Sequence, residues 1–96
     1  MITIEQLGAR RSELIALADR YKAENLRVFG SVARGEANEQ SDVDLLVHFR
    51  SGASLFDLID LKENAEKLLG VAVDVVSDGG LSPCLRDRIL NEARPL

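Results

Sequence analysis

Phe29-Gly30-Ser31-Val32-Ala33-Arg34-Gly35 and, a few residues on, Ser41-Asp42-Val43-Asp44-Leu45-Leu46-Val47-His48-Phe49 are the segments whose reading decides the fold. Asn25 to Phe29 is rich in strand formers and stops at Gly30, a residue that tolerates positive φ or a close backbone approach. A strand therefore meets a turn. Residues 31 to 42 are small and polar, which predicts a short helical turn followed by loop. Val43 to Phe49 then reads as a second strand: Val43, Leu45, Val47 and Phe49 are apolar, while the alternate face carries Asp44, Leu46 and His48.

Outward from this centre the punctuation is clear. Thr3-Ile4-Glu5-Gln6 has the spacing of a capping box, and Leu7, Leu14, Ile15, Ala18 and Tyr21 predict one amphipathic helix to about residue 22. Ser54 with Asp57 opens a second long helix, whose face of Leu58, Leu61, Ala65 and Leu68 runs to a stop at Gly70. Val71 to Val76 is dense in β-branched residues and predicts a third strand, interrupted by one acid, Asp74. Asp78-Gly79-Gly80 ends it. Ser82 as N-cap and Pro83 at the first helical position begin a last helix, with Leu85, Ile89 and Ala93 on its inner face, ending before Pro95. The order is helix, strand, helical turn, strand, helix, strand, helix. Periodicity supplies these elements but not the strand order.

The composition fits one small domain spanning residues 1–96, without internal repeats or linkers. A lone cysteine, Cys84, cannot form an internal disulfide and is read as a small helix residue in a reduced, cytoplasmic protein. No apolar run is long enough for a membrane span, and no signal-peptide pattern opens the chain. Sixteen acids against twelve bases give a net charge of −4. That balance, with no basic patch interleaved with aromatics, argues against direct nucleic-acid binding. Phosphate chemistry on such a surface needs a cation to bridge like charges.

The carboxylates are placed for such a cation. Asp42 and Asp44 flank Val43, so strand alternation points both to one side with Cα atoms about 6 to 7 Å apart. A turn entering a strand would also explain the pair. Gly30-Ser31 offers unpaired N–H groups and a small hydroxyl to a phosphate, or is simply an ordinary turn. Asp74 inside an apolar strand needs a partner, a metal or a solvated face.

Taken together, Gly30-Ser31, ten intervening residues, Asp42-Val43-Asp44 and then Asp74 within Val73-Asp74-Val75-Val76 resemble the signature of the DNA polymerase β-type nucleotidyltransferase superfamily. Phe29 to Ala37 with Ser41 to Val47 is more closely similar to the minimal nucleotidyltransferases, the antitoxin subgroup of HEPN–MNT toxin–antitoxin pairs. The resemblance extends over essentially the whole chain, the last helix included. It implies an α+β fold with a short three-stranded mixed sheet, the acids at one end and helices packed over the other face.

The resemblance also implies roles. Asp42 and Asp44 would hold two Mg²⁺ ions, and Asp74 would complete the site near the attacking hydroxyl; hard oxygen donors suit Mg²⁺. Gly30 would let the backbone approach the triphosphate of ATP, and Ser31 would bind its β or γ end. Arg34 would contact phosphate or the acceptor, or else pair with Glu36 in solvent. Arg86 and Arg88 face nucleotide, partner or solvent, and solvent is the plainer reading. His48 lies two positions beyond the site and takes no part.

Three functions follow. The first is transfer of AMP from ATP to a tyrosine hydroxyl of a partner HEPN RNase toxin, because a chain this short leaves little to build an acceptor pocket. The second is an antitoxin that masks its partner without catalysis. The third, transfer to a small molecule, requires an acceptor cleft that this sequence does not show.

Overall fold

The computed structural model describes residues 2–96. In chain order the elements are α1 (Ile4–Ala9), α2 (Arg11–Arg20), β1 (Ala23–Phe29), α3 (Gly30–Arg34), β2 (Val43–Phe49), α4 (Leu55–Leu69), β3 (Val73–Ser77), α5 (Pro83–Glu92) and β4 (Arg94–Pro95). A single 3₁₀ turn, Asp78–Gly80, follows β3. The strands form one mixed sheet in the order β3-β2-β1-β4.

Two pairings set the geometry. β1 and β2 are antiparallel, with Val28 opposite Leu45 and Phe29 opposite Asp44. β2 and β3 are parallel, with Val43 beside Val73, Asp44 beside Asp74 and Leu45 beside Val75. Parallel neighbours need a long crossover, and α4 supplies it.

Alternation along these strands sorts the side chains. Val28, Val43, Leu45, Val47 and Val73 are buried in one core with Leu7, Leu14 and Ala18 from α1 and α2 and Leu61 and Ala65 from α4. Each fully buried aliphatic side chain contributes about 1.5–3 kcal/mol, so the core face fixes the register of every strand that carries the opposite face. Thr3 and Gln6 form the predicted capping box: Gln6 N–H donates to Thr3 Oγ1 and Thr3 N–H to Gln6 Oε1. Gly70 closes α4 at φ 72°, in the left-handed region open to glycine.

The structure differs from the sequence expectation in four places. The sheet has four strands, not three: Arg94–Pro95 returns antiparallel along β1. Proline is compatible with this edge because an edge strand leaves one row of N–H positions unused. The first helix is broken at Arg10, whose ψ of 12° departs from helical geometry and whose N–H bonds back to Leu7 O in a tight turn. β1 begins at Ala23 rather than Asn25 and is irregular, with Asn25 at φ 54°, while β3 spans Val73–Ser77. Finally, Leu85 does not face inward: it is 49% exposed, and no residue of α5 is buried.

Candidate active site

Asp44 and Asp74 are brought together by the same alternation that builds the core. Val43, Leu45 and Val73 are buried, so the residues between and beside them lie on the other face of the sheet. The parallel register sets Asp44 directly beside Asp74 on strands about 4.8 Å apart. α4 secures this arrangement, since Val73 N–H donates to Glu66 Oε2 at 3.1 Å, immediately before Asp74. Asp42 lies one residue before β2 and is exposed.

These carboxylates are electrostatically crowded. Burial pushes the Asp44 carboxyl up to about 6, and the negative charges of Asp74 and then Asp42 add to the rise, while Arg34 opposes it. Asp44 thus carries a charge that its neighbouring side chains compensate only in part. Adding positive charge beside it would relieve that state.

Gly30 is built into the same corner. Its φ is +75°, and a β-carbon there would lie 2.1 Å from Asp44 Oδ2. Glycine is therefore needed twice at this position, for the backbone angle and for the carboxylate that presses against it. Gly30 N–H donates to Glu92 Oε2 at 2.8 Å, and Arg34 Nη1 donates to Glu92 Oε1 at 2.5 Å. Arg34 Nε donates to Glu36 Oε2 at 3.1 Å. The corner thus holds a glycine turn, one guanidinium and two neighbouring strand acids, with Asp42 at its rim.

The nucleotidyltransferase domain family matches residues 14–96 of the chain. The chain belongs to that nucleotidyltransferase family. It is 41% identical, over 96 aligned residues, to the protein adenylyltransferase MntA of Thermococcus cleftensis, covering 96% of this chain and 94% of that one. A solved structure, provisionally named as that of a minimal nucleotidyltransferase, is 54% identical with a TM-score of 0.89, covering 99% of this chain and 97% of that one. The fold also matches a triply AMPylated Shewanella oneidensis HEPN toxin in complex with its MNT antitoxin. That match has a TM-score of 0.70 and 18% identity, and it covers 92% of this chain and 69% of the other. The nucleotidyltransferase is thus of the minimal kind, an α+β domain with a mixed four-stranded sheet.

Within the nucleotidyltransferase, Asp44, Asp74 and Gly30 occupy one corner, with Ser31 following Gly30 as a half-buried residue of α3. The space that the missing side chain of Gly30 leaves is filled by the Asp44 carboxylate. Arg34 does pair with Glu36, as one reading of the sequence held, but it also binds Glu92. His48 is exposed and meets Asp78 through Nδ1 at 3.1 Å, about 13 Å along β2 from Asp44. Arg86, Arg88 and Cys84 are exposed on α5.

Sequence reasoning missed Glu92. It ends a helix that looks solvated, and nothing in the helical spacing marks it. What places it is the short return Arg94–Pro95, which brings the end of α5 back to the strand leading into Gly30 and has no period to read in sequence. Among the described residues, no helix is long and apolar enough to cross a membrane.

Proposed function

We propose that this nucleotidyltransferase is a protein adenylyltransferase and antitoxin, transferring AMP from ATP to a tyrosine hydroxyl of a partner HEPN RNase toxin and so silencing it. The observation that carries the reading is the side-by-side register of Asp44 and Asp74, with Gly30 closed against the Asp44 carboxylate. The relative named MntA is a protein adenylyltransferase, and the matched toxin–antitoxin complex holds an AMPylated HEPN toxin. Both support a protein acceptor.

Asp42 and Asp44, with Asp74, would hold Mg²⁺. The donor set fits: Asp44 is a hard oxygen ligand held near pKa 6 by burial and like charge. Among the described residues, no three such side chains form a ready cage. Mg²⁺ is commonly held by one or two carboxylates with substrate phosphates and waters completing the shell. When bound, the metal supplies charge neutralisation for the attacking and leaving oxygens.

The chain's own residues do the rest. The acceptor hydroxyl oxygen forms a bond to the α-phosphorus, the bond to the bridging oxygen breaks, and pyrophosphate leaves. Asp74, exposed at the corner, would receive the hydroxyl proton. Gly30 and Ser31 bound the triphosphate at the start of α3, and Arg34 offers the nearby positive charge that opposes the acids. Asp74 is exposed, so the acceptor would be presented by the partner.

Mass spectrometry of a candidate HEPN partner, after incubation with this protein, ATP and Mg²⁺, tests the reading. AMP mass additions are expected with wild type and absent with Asp42→Ala or Asp44→Ala. No added mass with wild type would refute transfer to that partner. Neutralisation by the doubly substituted protein as complete as by wild type would instead establish masking.

A further inference from the structure

We infer that Glu92 is a positioning residue for nucleotidyl transfer, holding the Gly30 backbone and the Arg34 guanidinium in a single arrangement around Asp44. The inference rests on the transfer reading above. Its basis is the division of one carboxylate between two donors: Oε2 accepts from Gly30 N–H at 2.8 Å, and Oε1 accepts from Arg34 Nη1 at 2.5 Å.

Both donors belong to the corner that carries the chemistry. Gly30 is the wall against which Asp44 Oδ2 stands, so a shift of its backbone moves the limit on where that carboxylate can lie. Arg34 without Glu92 keeps only Glu36, whose side chain is 67% exposed and two residues away. A guanidinium so held would swing with the loop. Glu92, 17% exposed, ties it to the Gly30 backbone.

Simple packing does not account for this contact. No residue of α5 is fully buried: Leu85 is half exposed and Ile89 and Leu90 are half-buried, so apolar burial alone does little to fix where α5 ends. Glu92 also adds negative charge near an acid that is already repelled, since its field raises Asp44 further. A carboxylate that worsens local repulsion yet accepts two charge-assisted or backbone hydrogen bonds is placed for orientation.

The alternative is that Glu92 sits as a stand-in anion on groups that a nucleotide phosphate needs. The two roles predict opposite signs. A positioning residue, once removed, weakens nucleotide binding and transfer; a competitor, once removed, tightens binding.

The test is a double-mutant cycle of wild type, Glu92→Ala, Arg34→Ala and the double variant, with Glu92→Gln as the shape-preserving control. ATP binding is measured by calorimetry with a non-hydrolysable analogue and Mg²⁺, and AMP transfer to the HEPN partner by mass spectrometry. Misplacing reacting groups by about 1 Å costs up to ~100-fold, so Glu92→Ala should lower kcat/KM by about 10- to 100-fold. Glu92→Gln, which keeps one acceptor, should lose several-fold less. In the Arg34→Ala background the Glu92→Ala effect should shrink by at least about threefold, because coupled residues are non-additive.

Melting curves check that the variants remain folded, and Glu92→Gln carries the test if the alanine variant does not. Tighter analogue binding by Glu92→Ala, wild-type transfer by both Glu92 variants, or full additivity in the cycle each overturns the inference. A wild type that binds the analogue but transfers nothing sinks the acceptor assignment instead, and the same cycle read in Kd still decides on Glu92.

Discussion

α4 and α5 are both amphipathic in sequence, yet the fold holds them by different means. α4 buries Leu61 and Ala65 almost completely, its Asn64 donates to Tyr21 Oη, and its Glu66 accepts from Val73 N–H. α5 has no fully buried residue, with Ile89 and Leu90 half-buried, and is tied to the site through the carboxylate of its last residue. One helix is scaffold and the other is a charged strut. Apolar burial does not titrate and is not screened, whereas a partly exposed ionic tie is screened by salt and can titrate. The corner proposed to meet nucleotide is therefore held by partly exposed ionic contacts.

The largest effect should separate the two helices outright. Leu61→Ala removes a 1% exposed side chain from the core and should cost about 2–5 kcal/mol in urea denaturation. Leu85→Ala, at a half-exposed position, should stay within about 0.5 kcal/mol. Equal losses would end the distinction.

Gly30→Ala sharpens it at the point where the strut lands. The added methyl would lie 2.1 Å from Asp44 Oδ2 at a φ of +75°, so a loss of about 1–3 kcal/mol is expected with transfer abolished. A variant that melts normally and still transfers AMP would show that the corner relaxes easily.

Asp44→Asn should move stability and activity in opposite directions. The sign follows from the raised carboxyl: an unfolded Asp ionises near 3.8 while the native one resists until about 6. Native stability therefore falls as pH rises from about 4 to about 6 and stays lower above it. Removing the charge removes that fall, which for a carboxylate only half buried is worth about 1 kcal/mol or less after solvent screening. Thermal melts should show the variant gaining on wild type across pH 4 to 6, with the gap then constant, while transfer is lost. A gap that does not open with pH would contradict the crowded-acid description.

The smallest effect has the opposite sign. Hydrogen bonding from Arg34, and then from Gly30 N–H, holds the Glu92 carboxyl below its ordinary range. Its contribution is present above that range and lost as pH falls through its lowered folded value. Amide exchange corrected for intrinsic rates should show α5 loosening in acid before α4 does. Simultaneous loosening would mean that the strut is not the ionic one.

Much of the site was legible because alternation is a two-state pattern. Val43, Leu45 and Val47 declare one face of β2, which leaves Asp44 only the other, and Val73 does the same for Asp74. Other features lacked such a pattern. The break at Arg10 sits inside unbroken helical spacing, and a two-residue strand such as Arg94–Pro95 is too short to show any period. Gly30 was legible as a position requiring glycine, but not the reason, because Asp44 becomes its neighbour only through the β1–β2 register. Glu92 was invisible for the same cause: its partners lie 62 and 58 residues away.

The parallel register of β2 and β3 has one more effect. If β3 slipped by a single residue, Asp74 would turn into the core and Val73 out to water. A copy with Asp44 and Asp74 misaligned would thus also be a copy with a buried charge, unable to persist as a stable fold. The greasy side of the sheet acts as an inspector of the reactive side, rejecting misassembled enzyme through unfolding and leaving few well-folded but inert molecules in circulation.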